Sequence, residues 1–193
     1  MNAPFVEVID QETLQNRVAE LGREITATLT ENDPVVVGVL KGSVPFLTDL
    51  ARHLPLTVEI DFLNLTRFGR EGRVSIAMDL SVSVEDRAVL IVEDIVDTGL
   101  TLATLRKMLF ARGASSVTTV ALLDKSTRRI VDVPVEHRGF DVGDEFLLGY
   151  GMDWKGRYRN VPSIWAVMDL SVLTVDPDAF QRHAFRQIEG ALG

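Results

Sequence analysis

The sequence predicts an α/β fold, with a Rossmann-like, mostly parallel sheet flanked by helices. Two runs, Val35 to Leu40 and Ala88 to Val92, are apolar almost throughout, as in strands that are covered on both faces. A helical pattern follows each run, and a third apolar strand is predicted from Ser116 to Leu123. Strand, turn, helix and strand in this order are typical of right-handed βαβ units, which build parallel sheets.

The other elements follow from hydrophobic spacing and from capping residues. After a candidate N-cap at Asp10, apolar residues recur at helical spacing at Leu14, Val18, Leu21, Ile25 and Leu29. Two further helices are predicted over 44–53 and 100–111, and a last one after Asp176-Pro177-Asp178, with Phe180, Ala184, Ile188 and Leu192 on one face. Additional strands are predicted over 57–65, 74–78, 146–148 and 164–167, with a loop over 66–73.

Length and composition limit the class of protein. A chain of 193 residues predicts one domain, and 46% hydrophobic with 25% charged residues is the balance of a globular protein. The absence of cysteine excludes disulfides, thiolate metal sites and a cysteine nucleophile. The net charge of -8 disfavours nucleic acid as a partner. We find no membrane-length apolar run and no secretory signal, and we expect a cytoplasmic protein.

The window Val89 to Thr101, VLIVEDIVDTGLT, carries the clearest chemical signal. The predicted strand ends in Glu93 and Asp94, and Asp97 and Thr98 follow before a helix. Ligands of open α/β sheets bind at the carboxyl ends of strands, where a helix N-terminus can hold a phosphate. Three carboxylates beside a phosphate require a divalent cation. A merely structural turn does not explain so many acids.

This window resembles the phosphoribosyl diphosphate signature of the type I phosphoribosyltransferases. More specifically, it is similar to the hypoxanthine-guanine (6-oxopurine) branch. Further segments match that branch in order over about residues 5 to 170: Leu40-Lys41-Gly42, Val58 to Phe62, Leu122-Leu123-Asp124-Lys125-Ser126, Phe146 to Asp153, and Tyr158-Arg159. The signature indicates the superfamily, whereas Lys125, Phe146 and Asp153 together narrow it to 6-oxopurines.

The resemblance implies purine salvage with Mg²⁺ as cofactor. The expected reaction transfers the phosphoribosyl group of phosphoribosyl diphosphate to hypoxanthine or guanine, which yields IMP or GMP and pyrophosphate. The expected fold is a single domain over 1–193. It has a small hood subdomain built from the N-terminal segment and the residues after about Gly139, and a helical extension from about 171 to 193. A homodimer or homotetramer, without nucleic acid or membrane, is also implied.

The resemblance assigns the phosphoribosyl diphosphate site residue by residue. Glu93 and Asp94 would hold the ribose hydroxyls and contact Mg²⁺, and Asp153 would be a further metal contact. The diphosphate would be contacted by Lys41, Gly42 and Arg159. The loop for the 5-phosphate would consist of Asp97, Thr98, Gly99, Leu100 and Thr101.

The purine site is implied in the same way. Lys125 would donate to the exocyclic oxygen, which an ammonium selects over an amine. Phe146 would stack on the base, and the backbone of Leu147, together with Asp153, would complete this site. Asp97 would be the catalytic residue that handles the proton of the purine nitrogen.

The chain departs from the family pattern at two places. The family usually has Ser-Tyr before a glycine in its mobile loop, whereas this chain has Arg67-Phe68-Gly69. The residues after about 171 exceed the usual end of the family. Three alternatives stay open: a transferase for another base such as xanthine, a regulator that senses phosphoribosyl diphosphate and binds nucleic acid, and a plain Mg-nucleotide-binding module. A plain Mg-nucleotide-binding module would leave Lys125 and Phe146 unexplained.

Overall fold

The computed structural model of the chain describes residues 3–29, 33–68 and 73–185. In chain order, the strands are β1 (Phe5–Ile9), β2 (Val35–Val39), β3 (Glu59–Phe68), β4 (Arg73–Met78), β5 (Ala88–Val96), β6 (Ser116–Asp124), β7 (His137–Asp141), β8 (Phe146–Leu148) and β9 (Ile164–Val167). The helices are α1 (Gln11–Thr28), α2 (Val44–Ala51), α3 (Leu100–Ala111), α4 (Leu170–Val175) and α5 (Gln181–Ala184). None of the helices in this part of the chain is long and apolar enough to span a bilayer.

The chain divides into two compact units. The larger unit is Asn16–Gly143, and the smaller unit combines Met1–Gln15 with Asp144–Gly193. The smaller unit therefore draws on both ends of the chain, as predicted for the hood. The single domain over 1–193 stays a prediction.

The larger unit contains a six-stranded sheet in the order β4-β3-β2-β5-β6-β7. Strands β3, β2, β5, β6 and β7 run parallel, and β4 is antiparallel to β3. The predicted α/β class with a mostly parallel sheet is confirmed. In this register Val37 lies opposite Ile91, and Ile91 lies opposite Thr119. The carboxyl ends of β2, β5 and β6 consequently lie at the same edge of the sheet.

Helix α3 packs its apolar side against this sheet. Leu102, Leu105 and Leu109 recur at three- and four-residue spacing and are almost completely buried, in one core cluster with Val37 and Ile91. Only Asp97, Thr98 and Gly99 lie between β5 and α3. The N-terminus of α3 therefore lies close to the carboxyl end of β5.

The smaller unit contains an antiparallel sheet in the order β1-β9-β8. Phe5 on β1 lies opposite Val167 on β9, and Phe146 on β8 lies opposite the same residue. Its core is aromatic, with Phe5, Tyr158 and Phe180 buried. Strands β8 and β9 have the predicted bounds.

Several predicted boundaries are wrong. Strand β5 does not end before Glu93 but continues to Val96, because its ladder with β6 pairs Glu93 with Ala121 and Ile95 with Leu123. Strand β3 extends to Phe68 and β4 begins at Arg73, so residues 66–68 and 73 of the predicted loop belong to strands. Strands β1 and β7 were not predicted.

The last helix also differs from its prediction. Among the described residues, the short helix α5 covers the start of the predicted helix, and α4 precedes it. Phe180 and Ala184 are buried as the spacing indicated. Ile188 and Leu192 lie outside the described residues, as does Gly69 of the family's mobile loop.

Candidate active site

A polar cavity of about 190 Å³ lies between the end of β5 and the start of α3. Its walls include Glu93, Asp97, Thr98, Gly99 and Thr101. Gly99 is the N-cap of α3 and has a φ of +83°, in the left-handed region that favours glycine. Backbone N–H groups and the positive end of the helix dipole are available at such a position. The cavity can therefore accept a phosphate group.

Arg129 fixes the loop that lines this cavity. Its guanidinium donates to the backbone carbonyl of Asp97 at 3.0 Å and forms an ion pair with the buried carboxylate of Asp124, at the end of β6. A Cβ atom added to Gly99 would lie 2.8 Å from Arg129 Cδ, so this glycine also permits the close approach of the arginine. Sequence reasoning missed the role of Arg129, although it lies only four residues after Lys125.

The segment after Lys125 supports the same loop through its backbone. The N–H groups of Ile130 and Val131 donate to the carbonyl of Thr98 at 3.0 and 3.2 Å. The N–H of Lys125 donates to the carbonyl of Val96 at 2.9 Å. The loop is consequently held in place without a ligand.

Asp97 forms an ion pair with another residue of this segment. Arg128 Nε lies 2.9 Å from Asp97 Oδ1, and both side chains are 45% exposed. This contact is not aligned as a hydrogen bond, since Oδ1 has no hydrogen-bond partner among the described residues. A half-exposed ion pair contributes at most about 1 kcal/mol, so a ligand can replace it at small cost.

Glu93 and Asp94 are consecutive residues near the end of β5. Glu93 is only 6% exposed. Burial raises the pKa of its carboxyl well above the ordinary value, and the neighbouring Asp94 raises this pKa further. Gly42 comes close to Asp94, because a Cβ atom at Gly42 would lie 1.6 Å from Asp94 Oδ2. A side chain at position 42 would therefore displace the carboxylate of Asp94 from its present place.

The two lysines of the predicted site differ in exposure. Lys41 follows β2 and is exposed. Lys125 follows β6 and is only 7% exposed, so it is not a solvated surface lysine.

The carboxylates fit Mg²⁺ that enters together with a phosphate ligand. In the described residues no cluster of three or more acidic, histidine or cysteine side chains could hold a metal alone. Magnesium is usually bound by one or two carboxylates and completed by substrate phosphates and water. A cation would also offset the unfavourable burial of Glu93 beside Asp94.

Four predicted site residues lie in the smaller unit. Phe146 meets Trp154 edge to face, with ring centroids 5.6 Å apart. Leu147, the next residue of β8, is buried. Arg159 Nη2 lies 2.6 Å from Asp153 Oδ1. The second oxygen of Asp153 accepts from the N–H of Gly156 at 2.6 Å, so this carboxylate already has two partners.

The larger unit brings together the remaining predicted residues at the carboxyl edge of its sheet. They are Lys41, Gly42, Glu93, Asp94, Asp97, Thr98, Gly99, Leu100, Thr101 and Lys125. Leu100 is the first residue of α3, and its side chain is half-exposed.

Known proteins with this sequence pattern identify the family. The phosphoribosyl transferase domain matches residues 7–155. The chain belongs to the phosphoribosyltransferase family. It is 43% identical to a hypoxanthine-guanine phosphoribosyltransferase of Bacillus subtilis over 161 residues, which cover 81% of this chain and 89% of that protein. It is 42% identical to the hypoxanthine phosphoribosyltransferase of Escherichia coli over 170 residues, with 84% and 96% covered.

Solved structures agree with this family. A hypoxanthine phosphoribosyltransferase from Staphylococcus aureus has a TM-score of 0.82 and 37% identity, with 86% of this chain and 92% of that chain covered. A hypoxanthine-guanine phosphoribosyltransferase from Bacillus anthracis, with a HEPES molecule in its active site, has a TM-score of 0.82 and 39% identity, with 84% and 98% covered. The fold is therefore that of the phosphoribosyltransferases.

The raised pKa of Glu93 predicts a pH-dependent stability of the ligand-free protein. Because the folded state disfavours the ionised carboxylate, stability is lost as the pH rises through the folded pKa. Glu93→Gln removes this loss. The variant should unfold at a higher temperature than the wild type at about pH 8, and this gain should shrink toward about pH 5. Each unit by which the pKa is raised corresponds to about 1.4 kcal/mol.

Calorimetric unfolding across this pH range measures the effect. Glu85→Gln, at an exposed position at the start of the turn before β5, controls for the loss of one negative charge. A Glu93→Gln protein that is less stable than the wild type at alkaline pH would contradict the assignment.

Proposed function

We propose that the chain transfers the 5-phosphoribosyl group of phosphoribosyl diphosphate to a nitrogen of hypoxanthine or guanine, which yields IMP or GMP and pyrophosphate. The bond from the ribose carbon to the diphosphate oxygen breaks, the new bond to the purine nitrogen forms, and the purine loses a proton. The observation that carries this proposal is the cavity lined by the 97–101 loop and by Glu93. The names of the relatives supply the substrate class.

The larger unit has the groups that this substrate needs. The loop of Asp97, Thr98, Gly99, Leu100 and Thr101 would bind the 5-phosphate through backbone N–H and hydroxyl groups. Glu93 and Asp94 would accept hydrogen bonds from the ribose hydroxyls. Lys41 and the backbone at Gly42 would meet the diphosphate. This arrangement would hold the ribose between its phosphate groups and so orient the reacting carbon.

Glu93 and Asp94 would also contact Mg²⁺, with Asp153 as a further contact. When bound with the diphosphate, the ion would neutralise charge on the leaving pyrophosphate. Arg159 would bind the same group through its planar fork, which suits phosphate oxygens.

Lys125 would determine the choice of base. Its ammonium only donates, so it pairs with a 6-oxo group and not with the 6-amino group of adenine. Phe146 would stack on the ring, the backbone of Leu147 would bind the purine edge, and Asp153 would lie near this site. The carboxylate of Asp97 would take the proton of the purine nitrogen, with the purine replacing its half-exposed contact with Arg128.

Assembly and location also remain proposals. A homodimer or homotetramer in the cytoplasm is typical of the family. The net charge of -8 supports a small-molecule transferase over a nucleic-acid-binding regulator.

A panel of bases tests the substrate class. With phosphoribosyl diphosphate and Mg²⁺, hypoxanthine or guanine should be turned over and adenine poorly. Lys125→Gln should reduce the ratio of hypoxanthine turnover to adenine turnover by about 10-fold or more. The amide of glutamine can accept a hydrogen bond from an amine as well as donate one. Product formation resolved by chromatography measures each rate.

Lys107→Gln, on the exposed side of α3, is the matched control and should keep the discrimination of the wild type. Adenine turnover equal to that of hypoxanthine in the wild type would contradict the 6-oxopurine assignment but leave the family assignment intact. Preferential turnover of xanthine would favour the alternative substrate.

Asp97→Asn tests the proton acceptor. The amide keeps the size of the side chain but cannot take a proton at neutral pH. We expect kcat to fall about 100-fold, with little change in the affinity for phosphoribosyl diphosphate. Steady-state kinetics with both substrates varied across pH measure this, and Asp132→Asn, at an exposed position, is the control. An unchanged kcat with a large rise in the KM for phosphoribosyl diphosphate would assign Asp97 to binding alone.

A further inference from the structure

We infer that the C-terminal segment, defined as residues 176–185, positions Arg159 for binding of the diphosphate. The inference rests on the proposed function, because it takes Arg159 as a ligand of that group. It assigns a role to residues beyond the matched family domain, which ends at residue 155. Phe180 and the backbone of Pro177 carry this role, and both act through Tyr158, the neighbour of Arg159.

Phe180 is the centre of the aromatic core of the smaller unit. It is 0% exposed, and its ring lies 5.1 Å from those of Phe5 and Tyr158 and 5.7 Å from that of Trp165. The contacts with Tyr158 and Trp165 are edge to face, which is a favourable geometry for aromatic rings. Phe180 thus connects the C-terminal segment to β1, β9 and the turn that carries Arg159.

Tyr158 is held at both ends of its side chain. Its ring packs on Phe180, and its hydroxyl donates to the backbone carbonyl of Pro177. Its φ is +75°, which is unfavourable for a residue with a side chain and persists only where the surroundings determine it. The C-terminal segment supplies these surroundings. The ion pair of Arg157 with Asp178 attaches the residue on the other side of Tyr158 to the same segment.

Arg159 is the next residue after Tyr158, which the C-terminal segment supports. Its backbone carbonyl accepts from the N–H of Gly151 at 2.9 Å, and its guanidinium donates to the carbonyl of the same residue. The guanidinium also pairs with Asp153 at 2.6 Å. Because Arg159 directly follows Tyr158 in the chain, the position of its backbone also depends on the turn around Tyr158. A displaced backbone at Tyr158 would move the guanidinium of Arg159. Its binding to phosphate oxygens depends on its orientation.

Calorimetric titration with pyrophosphate in the presence of Mg²⁺ tests this role. Phe180→Ala removes the ring under Tyr158 and should weaken pyrophosphate binding about 10-fold, and Phe180→Leu should weaken it less. Ribose 5-phosphate is the second probe, because the loop at 97–101 lies in the larger unit. Its affinity should change by less than about twofold in both variants. Phe110→Ala, at a half-exposed phenylalanine of the larger unit, is the matched control.

A double variant separates positioning from a general loss of structure. If Phe180 acts through Arg159, then Phe180→Ala should cause no additional loss of pyrophosphate affinity in an Arg159→Ala background. Tyr158→Phe, which removes only the hydroxyl bonded to Pro177, should give a smaller loss of the same kind. It keeps the test available if Phe180→Ala fails to fold.

Two results would overturn the inference. Equal losses for pyrophosphate and ribose 5-phosphate, or fully additive losses in the double variant, would show that Phe180 has only a structural role. An unchanged pyrophosphate affinity in Arg159→Ala alone would instead remove Arg159 from the proposed diphosphate site. The failure of the inference and the failure of the residue assignment are therefore distinguishable.

Discussion

Arg129 connects the ends of β5 and β6 through its ion pair with Asp124 and its hydrogen bond to the carbonyl of Asp97, and the geometry of the site depends on these two contacts. Asp124 is 2% exposed at the end of β6, where an unpaired carboxylate would cost several kcal/mol. Arg129 pairs with it and uses a second N–H to hold the carbonyl of Asp97 after β5. One planar guanidinium thus sets the start of the 97–101 loop, the orientation of Asp97 and the space beside Gly99. Because these contacts of Arg129 are made within the protein itself, they shape the loop before any ligand binds.

The contacts of Arg129 stabilise the fold, whereas the carboxylates of β5 destabilise the ligand-free protein. Glu93 is buried beside Asp94, which is unfavourable in the ligand-free protein. Gly42 approaches so closely that a side chain at this position would displace the carboxylate of Asp94. The proposed ribose hydroxyls and Mg²⁺ would supply the missing partners. Such sites are typical of binding surfaces, where local stability is given up for affinity.

Sequence reasoning predicted the parts of the fold that local patterns determine. Helix α3 has its predicted bounds, because apolar spacing and the stop at Gly113 specify it locally. The end of β5 was missed, since Glu93 and Asp94 are polar and only the ladder with β6 keeps them in a strand. Arg129 was missed for a similar reason. Its partners Asp97 and Asp124 lie 32 and 5 residues away, and no spacing rule connects them.

Arg129→Lys tests most directly whether this ion pair preforms the phosphate loop. Lysine keeps the charge but lacks the fork, so it cannot hold both Asp124 and the carbonyl of Asp97. We predict that calorimetry will show ribose 5-phosphate binding weakened about 10-fold in a folded protein. Arg112→Lys, which alters a bidentate surface pair with Asp79, should leave this affinity unchanged. An unchanged phosphate affinity in Arg129→Lys would show that the loop is held by other contacts and would contradict the account.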